Sequence, residues 1–410
     1  MKRFLSILLA AALSLMAVPA SALADEVSET AGSDNPTVGS GEEARSLDEL
    51  LQAGDYVPGR VLAHVNDDFA PVSAYSSNGG GWSASNLYTF DPQPEAGAEA
   101  DVPLARSMPT PEQVILIESG TQSTEDLLRD LADTPGVLAA QPDYVRYIDD
   151  LETQAKPVEE PAAALSADTA PTDDPLIGLQ WHLAPTDEIA GAANVETLWG
   201  DEGIPGRPWQ GKEEVVVAVV DTGVDCTNPD LKDVMWENPG NIGLEGEHGY
   251  DYGMGDDDPM DNDGHGTHVA GIIAASVNNG EGVAGVAPNA KIMALRVANE
   301  SGGFLTSAVL GAYSYMKKAA QARVNLVAAN NSWMGAGESP LLTEVMDDLY
   351  RSNGVLSVCA SGNYAADLDQ SLNLPAGAPT DGAIAVNAVD REGRLASFSD
   401  YGAAATDLAA

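Results

Sequence analysis

The C-terminal part of the chain alternates continuous apolar runs with amphipathic or small-residue segments. The runs predict strands at Val215–Val220, Lys291–Val297, Val324–Ala328 and Val355–Ala360. The segments between them predict helices at Thr267–Ala275, Ser307–Ala322 and Leu341–Ser352. Apolar strands that alternate with helices indicate a parallel sheet covered by helices on both faces. We therefore predict an α/β domain over residues 175–410, with its chemical residues just beyond the carboxyl ends of the strands.

The N-terminal part has a different pattern, in which short apolar runs surround one helical segment. A turn followed by a strand is predicted over 56–65, further strands at 114–117, 136–140 and 144–148, and a loop at 74–111. Leucines at helical spacing predict a helix over Thr124–Ala132, with Ser123 as its N-cap. These elements make a small α+β module that begins at about residue 55. The acidic sequence at 25–48 and 149–174 has no periodicity, and we predict no regular structure there.

The charge of the chain narrows the range of its partners. Of 410 residues, 63 are Asp or Glu and 19 are Lys or Arg, which gives a formal net charge of −44. A surface this acidic repels nucleic acid and anionic lipid, so we expect neither as a partner.

The chain has two cysteines, Cys226 and Cys359. They form either one disulfide or two separate thiols, and the sequence leaves their pairing open.

The first residues have the features of a secretory signal. Lys2 and Arg3 precede the apolar stretch 5–18, and an A-x-A cleavage site ends at Ala24. The apolar stretch is too short to span a membrane, and no later segment of this chain reads as a span. We therefore predict a signal peptide over residues 1–24 and an extracellular location.

The most informative stretch is DNDGHGTHVAGIIAA, residues 261–275. It places His265 between Gly264 and Gly266, where a buried helix of small apolar residues should begin. The glycines remove side-chain bulk, so we expect a substrate backbone to approach an imidazole whose pKa of about 6.5 suits proton transfer. Two other interpretations are a capped helix start and a metal site that includes His268. A metal site would need further ligands, and the sequence has no HExxH motif.

Two more candidate residues follow predicted strands. Asp221 closes the run VAVVD, and Asn363 closes SVCASGN. A carboxylate at the end of a buried strand is costly unless it has a partner. Each residue also suits a turn or a helix cap, which is the commonest use of Asp and Asn at such points.

Together the three motifs resemble the aspartate, histidine and oxyanion-asparagine motifs of subtilisin-like serine proteases, the subtilase family. The resemblance covers residues 173–410 and implies a three-layer α/β fold, with helices on both faces of a parallel sheet. It implies a secreted endopeptidase that hydrolyses polypeptides by an Asp-His-Ser triad, in which Asp221 orients His265. Asn363 would donate its amide to the oxyanion.

The N-terminal module resembles the ferredoxin-like propeptide of the same family, in the order of its elements and in its position. This implies a zymogen, with a propeptide over residues 25–150 as a partner of the catalytic domain. An acidic linker at 151–174 would then join the two, and we expect proteolytic processing in that linker.

The same resemblance implies the residues that bind substrate as an added strand. They are Gly302 and Gly303 on one edge of the cleft, and Ser332, Trp333, Met334 and Gly362 on the other. Met334 stands where the family commonly has glycine, which bears on the depth of the pocket.

A structural calcium site is also implied by the resemblance. Asp230 would supply a carboxylate, the loop after the histidine helix would supply Asn279, and the carbonyl groups would come from Val277, Glu281 and Val283. Oxygen ligands are those that Ca²⁺ prefers. The alternative is an exposed turn with one capping aspartate. The nearby acidic run 250–263 is interpreted as a solvated surface.

The nucleophile of the family is missing from this sequence. A GTSMA-type serine motif does not occur in it, and residues 398–410 resemble the segment just upstream of that serine. We expect the serine to lie after Ala410, and leave open a cell-surface anchor there. The alternative is a catalytically inactive, subtilase-like protein that binds peptides. A metal-dependent hydrolase using His265, His268 and the acidic loop is a third hypothesis, which inhibition by a chelator but not by a serine-directed phosphonylating reagent would favour.

Overall fold

The computed structural model describes residues 37–38, 45–69, 82–91, 111–148, 172–195, 199, 214–336, 339–371 and 373–410. The predicted signal peptide at 1–24 and most of the acidic linker at 151–174 lie outside these residues. Among the helices of the described ranges, none is both long and apolar enough to cross a membrane.

The N-terminal module is an antiparallel sheet with helices on one face. Its elements are β1 (Thr37–Val38), β2 (Arg45–Ser46), α1 (Leu47–Gln52), β3 (Tyr56–Val65), β4 (Trp82–Thr89), β5 (Gln113–Ser119), α2 (Thr124–Ala132) and β6 (Val137–Tyr147). The sheet has the strand order β6-β3-β5-β4. Helix α2 begins as predicted, because Ser123 and Asp126 form a reciprocal capping box.

Three predictions for the module were wrong. The two strands at 136–140 and 144–148 are the single strand β6, and it passes through Pro142 at an irregularity in the pairing with β3. A proline is tolerated at such a point because no regular ladder hydrogen bond is needed. The loop at 74–111 contains β4, an edge strand whose mostly exposed side chains give no clear apolar pattern. Regular structure already begins before residue 48, in β1, β2 and α1.

The rest of the described chain forms the predicted α/β domain. Its elements are β7 (Val215–Asp221), β8 (Gly249–Asp251), α3 (His265–Ala274), β9 (Ala290–Arg296), β10 (Gly303–Leu305), α4 (Thr306–Gln321), β11 (Leu326–Asn331), β12 (Gly335–Ala336), α5 (Pro340–Asn353), β13 (Leu356–Ala360), β14 (Asn373–Leu374), β15 (Ala383–Asn387) and β16 (Leu408–Ala409). Seven of the strands form one all-parallel sheet in the order β16-β15-β13-β11-β7-β9-β8. Two short 3-10 turns, Ile177–Leu179 and Trp181–Leu183, precede the sheet.

Helices cover both faces of this sheet, which explains the continuous apolar run of β7. Val217 and Val219 pack into the hydrophobic cluster that includes α3. Val216 and Val220, on the opposite face, pack into the cluster that includes α4 and α5. Because successive side chains of a strand point to opposite faces, both sets must be apolar.

The module packs against α4 and α5 through the other face of its sheet. Leu62 and Leu116 belong to the same hydrophobic cluster as α4 and α5. Their neighbours Val61 and Ile117 face the helices of the module itself. Strands β3 and β5 are therefore buried on both sides, and the module and the α/β domain share a core.

Buried polar groups also join the two parts. Asp143 accepts hydrogen bonds from the backbone N–H (2.8 Å) and the hydroxyl (2.7 Å) of Ser307, in the first turn of α4. Lys317 of α4 donates to Asp348 of α5 (2.7 Å) and to the carbonyl of Thr89 in the module (2.7 Å). A charge that is buried in this way is stabilised only while its partners stay in place.

His64 of β3 is a third polar contact across this boundary. Its Nε2 lies 2.9 Å from Glu112 of the module, and its Nδ1 lies 3.0 Å from Glu344 of α5. Burial of the ring lowers the pKa of His64, but the hydrogen bond and charge of Glu344, and then Glu112, outweigh it and raise the pKa above the ordinary 6.5.

We expect this histidine to make stability depend on pH. A raised pKa gives stabilisation that is complete below about pH 6.5 and is lost as the pH rises through the folded-state pKa. On raising the pH from about 5 to about 9, the unfolding midpoint should therefore fall more for the wild type than for His64→Gln. Glu344→Gln serves as a control, since it should reduce the pH dependence in the same way. Parallel curves for all three proteins would contradict the assignment.

Candidate functional site

Asp221 and His265 meet at the carboxyl edge of the sheet. Strand β7 ends at Asp221, α3 begins at His265, and Asp221 Oδ1 lies 2.8 Å from His265 Nδ1. Asp221 is fully buried, and its Oδ1 also accepts a hydrogen bond from the backbone N–H of Thr222 (2.7 Å). The imidazole stays 33% exposed, so a reacting group can reach it. The structure thus brings together the two residues that the sequence predicted.

Gly266 allows α3 to approach the end of β7. A Cβ at this position would lie 2.1 Å from the carbonyl oxygen of Gly223, which no side chain could tolerate. The backbone N–H of Gly266 donates to the hydroxyl of Thr222 (2.9 Å). We predicted that this glycine clears space for a substrate, but it accommodates the chain's own backbone. Gly264 has open surroundings and a φ of 112°, a conformation that favours glycine.

The start of α3 is also held by Asp261. Its Oδ2 accepts hydrogen bonds from the backbone N–H (2.9 Å) and the hydroxyl (2.6 Å) of Thr267, and its Oδ1 accepts from Gly264 (3.0 Å). Burial raises the pKa of Asp261, but these hydrogen bonds outweigh it and lower the pKa below its ordinary value. The acidic run 250–263 is therefore not simply a solvated surface. Asp251 is another exception, because it is buried and pairs with Arg296 (2.6 Å).

The surroundings of His265 favour its protonated form. Burial lowers the pKa of the imidazole, but the charge and hydrogen bond of Asp221 outweigh it, and the net pKa is raised above 6.5. His268 has a lowered pKa, first because of burial and then because of His265. The described residues contain no group of three or more His, Cys, Asp or Glu side chains placed to hold a metal ion, so the structure gives no support to a metal site at His265 and His268.

Asn363 follows β13 at the same edge of the sheet. Strands β13 and β7 both pair in parallel with β11, on either side of it, so their carboxyl ends lie at the same edge of the sheet. The side chain of Asn363 is half-buried and makes no hydrogen bond within the described part of the chain, so its amide is available to a ligand. Gly362 precedes it with a φ of 126°, and a Cβ there would lie 2.1 Å from Asp400 Oδ2. Asp400 is thus a buried neighbour of the site that the sequence analysis missed.

The predicted substrate-binding edges enclose an extended strand, which is the end of β6. Gly303 of β10 pairs with Tyr147, in antiparallel register. On the other side Tyr147 and Met334 exchange two backbone hydrogen bonds, of 3.3 and 3.4 Å. Gly302 lies in the turn before β10, with a φ of 78°. A role of these residues in substrate binding stays a prediction.

The other predicted residues of this region are less accessible. Trp333 is 2% exposed, and its ring packs near Phe304 in the core, with 6.1 Å between ring centroids. The hydroxyl of Ser332 accepts a hydrogen bond from Asn330 (2.9 Å). The side chain of Met334 reaches Gly362, since a Cβ on that glycine would lie 2.6 Å from Met334 Cε. Met334 therefore occupies space that a glycine would leave open.

Two of the predicted calcium ligands, Asp230 and Asn279, lie in contact with each other. Asp230 accepts hydrogen bonds from the side-chain amide of Asn279 (2.8 Å) and from the backbone N–H of Val283 (2.9 Å). The Oδ1 of Asn279 accepts from the N–H of Glu281 (2.9 Å), and Val277 precedes the turn as a buried residue. Carboxylate and amide oxygens such as these are donors that Ca²⁺ accepts, and the calcium site stays a prediction. Binding would require Asn279 to present its oxygen to the ion in place of its amide N–H.

A further contact holds this loop from outside it. Asp174 accepts hydrogen bonds from the backbone N–H groups of Asn278 (3.2 Å) and Asn279 (3.4 Å). The sequence analysis placed Asp174 in the linker and missed this contact, because the two positions are about a hundred residues apart.

The structure also answers whether the two cysteines form a disulfide, since Cys226 and the buried Cys359 are free thiols. Burial raises the pKa of both.

Comparison with known proteins matches residues 212–410, which contain Asp221, His265 and Asn363, to the model of the subtilase family. The thermophilic serine proteinase of Bacillus sp. (strain AK1) is 37% identical over 186 residues, 45% of this chain and 41% of that protein. Subtilisin DY of Bacillus licheniformis is 36% identical over 190 residues, 46% of this chain and 61% of that protein. This chain thus spans less than two thirds of the length of these relatives.

A solved structure shows the same fold at low sequence identity. The crystal structure of an epidermin leader peptide processing serine protease from Staphylococcus aureus superposes with a TM-score of 0.53 and 16% identity. The superposition covers 86% of this chain and 74% of that one. The fold of this chain, the Asp221–His265 contact at the edge of its sheet and the match to the family model all point to the same family. This chain belongs to the subtilase family of subtilisin-like serine proteases.

Proposed function

We propose that this protein is a secreted serine endopeptidase of the subtilisin type, made as a zymogen, whose nucleophilic serine follows Ala410. The observation that carries the proposal is the 2.8 Å contact between Asp221 Oδ1 and His265 Nδ1. The pair lies at the edge of a sheet whose neighbouring groove accepts an extended polypeptide strand.

In this mechanism the aspartate sets the tautomer of the histidine. The buried carboxylate of Asp221 accepts a hydrogen bond from Nδ1–H of His265, which leaves Nε2 free to accept a proton from a serine hydroxyl. The imidazolium that forms is stabilised by the same carboxylate. Asn363 is the proposed donor to the negative charge that develops on the carbonyl oxygen of the substrate.

The N-terminal module is proposed to be an inhibitory propeptide. Its last strand fills the groove between β10 and Met334, where a substrate would have to lie. Two of its polar side chains contact helix starts: Asp143 accepts from Ser307 in the first turn of α4, and Gln141 donates to the hydroxyl of Ser339 (2.9 Å), the N-cap of α5. The anionic acceptor Asp143 is favourable there, because helix N-termini carry unpaired N–H groups. Cleavage in the linker at 151–174 would release the module.

The proposal is tested by comparing residues 25–410 with the same chain extended through its native downstream sequence. We expect hydrolysis of a peptide amide, and labelling by an active-site phosphonate, only in the extended chain, because a triad without a nucleophile has nothing to activate. Labelling of residues 25–410 alone would mean that another serine is the nucleophile. An extended chain that folds and binds peptides without hydrolysing them would favour the inactive peptide-binding alternative.

Two variants of the extended chain separate the proposed roles. Asn363→Ala should still be labelled, with kcat reduced about a hundredfold or more, because one oxyanion donor commonly contributes that much. His265→Ala should lose both turnover and labelling, because no base remains to activate the serine.

The pKa of His265 should depend on Asp221. Titration of His265 by NMR should give a pKa above the ordinary 6.5, and Asp221→Asn should lower that pKa. Because the base must be neutral, kcat/KM of the extended chain should rise with pH through the raised pKa. His268→Gln assigns the signals and should leave the His265 pKa elevated. An unchanged pKa in Asp221→Asn would refute the proposed role of the carboxylate.

Calcium should stabilise the folded protein through Asp230. A ligand at about a hundred times its Kd adds roughly 2.7 kcal/mol to the free energy of unfolding. Adding Ca²⁺ to chelator-treated protein should therefore raise the unfolding midpoint of the wild type but not that of Asp230→Ala. Asp257→Ala, at an exposed position of the acidic run, is the matched control and should respond as the wild type does. A normal calcium response in Asp230→Ala would contradict the site.

A further inference from the structure

Asp400 is a buried carboxylate beside the site that the mechanism above does not use. It is 0% exposed, and its segment, residues 398–401, runs along the turn that carries Asn363. Backbone hydrogen bonds join the segment to the turn, such as the one from the N–H of Ala365 to the carbonyl of Phe398 (2.8 Å). A buried charge is costly unless it is bonded, so the partners of this carboxylate indicate what it does.

Asp400 bonds to both of the peptide units that flank Asn363. Its backbone N–H donates to the carbonyl of Gly362 (2.8 Å), in the peptide unit before Asn363. Its carboxylate Oδ1 accepts from the N–H of Tyr364 (2.7 Å), in the peptide unit after Asn363. The same oxygen also accepts from the N–H of Ala366 (2.9 Å). Because peptide units are planar, fixing these two units fixes φ and ψ of Asn363, and with them the direction of its Cβ.

The carboxylate also lies directly against the turn. Gly362 has a φ of 126°, and a Cβ there would lie 2.1 Å from Asp400 Oδ2. Glycine at this position therefore lets the carboxylate approach the backbone just before Asn363. The side chain of Asn363 makes no hydrogen bond within the described part of the chain, so the hydrogen bonds that hold this residue are those of its backbone. An amide that is kept unpaired for a ligand has to be oriented in this indirect way.

We infer that Asp400 is a positioning residue for Asn363, and that its carboxylate and backbone N–H hold the turn 362–366 so that the amide of Asn363 is presented to the oxyanion. The inference rests on the proposed function, in which Asn363 is the oxyanion donor. Asp400 itself touches no substrate in this mechanism. A preorganised donor acts on the charge that develops in the transition state, so the effect of Asp400 should appear in kcat rather than in KM.

The test uses the full-length protein with its native sequence after Ala410, and kcat is expressed per site that the phosphonate labels, so that unfolded protein does not count. Asp400→Asn keeps the volume and an acceptor oxygen, but its neutral hydrogen bonds are about half as strong as charge-assisted ones. We expect kcat to fall about tenfold in Asp400→Asn and about a hundredfold in Asp400→Ala, with KM changed by less than about twofold. A kcat for Asp400→Asn equal to or above that of the wild type would overturn the inference.

Asp369→Ala is the matched control. The carboxylate of Asp369 accepts hydrogen bonds from the backbone N–H groups of Ala403 (2.7 Å) and Ala405 (2.9 Å), farther along the same two segments. Its removal weakens their contact without touching the peptide units beside Asn363, so kcat should stay within about threefold of the wild type. An equal loss of kcat in Asp369→Ala and Asp400→Asn would overturn the specific role of Asp400.

A double-mutant cycle tests whether the effect passes through Asn363. In Asn363→Ala no amide is left to position, so the further change Asp400→Asn should lower kcat by less than about threefold, against about tenfold in the wild type. A full further loss would mean that Asp400 acts on another group, and would overturn the inference.

Amide exchange separates this inference from the proposed function, because it needs no turnover. In the same full-length protein, Asp400→Asn should speed exchange of the N–H groups of Tyr364 and Ala366, which lose their charged acceptor. A wild type that hydrolyses no peptide would sink the proposed endopeptidase, while faster exchange in the variant would still support Asp400 as the group that holds Asn363. Exchange no faster than in the wild type would overturn the inference even where peptides are hydrolysed.

Discussion

The buried carboxylate of Asp221 is the constraint on which the site depends. A charge at the end of a buried strand needs partners, and its Oδ1 finds them in Thr222 and in the ring of His265. This contact requires the first turn of α3 to lie against the end of β7. The close approach is possible only because Gly266 meets the carbonyl of Gly223 without a side chain. This one contact thus accounts for the end of β7, the start of α3 and the glycine at position 266.

The N-terminal module is attached by the same kind of constraint. Helices α4 and α5 begin at the boundary with the module, and unpaired N–H groups at a helix start need acceptors. Asp143 supplies one at Ser307, and Gln141 contacts the N-cap of α5 at Ser339. Both residues lie on β6, the strand whose end enters the groove. Strand β6 thus both contributes to the attachment of the module and occupies the groove.

One wall of the groove, strand β10, extends the sheet of the module. Strand β10 of the α/β domain pairs with β6, so that it forms the outer strand of the five-stranded sheet β10-β6-β3-β5-β4. Backbone pairing of this kind holds a strand without regard to its sequence. The two side chains at the end of this strand lie in different environments. Tyr147 points to solvent, while Arg146 enters a space defined by Gly335.

The sequence by itself determined the parallel sheet, most of its helices, and the pairing of Asp221 with His265. These features follow from local periodicity and short motifs, whose spacing is readable along the chain. The tertiary structure alone decided that β6 fills the groove, that Asp143 binds Ser307 at a separation of 164 residues, and that Trp333 is buried. It also decided that Gly266 accommodates the chain's own backbone. The physical reason is that backbone hydrogen bonds and close approaches between distant segments leave no periodic signal in either segment, so only packing selects their partners.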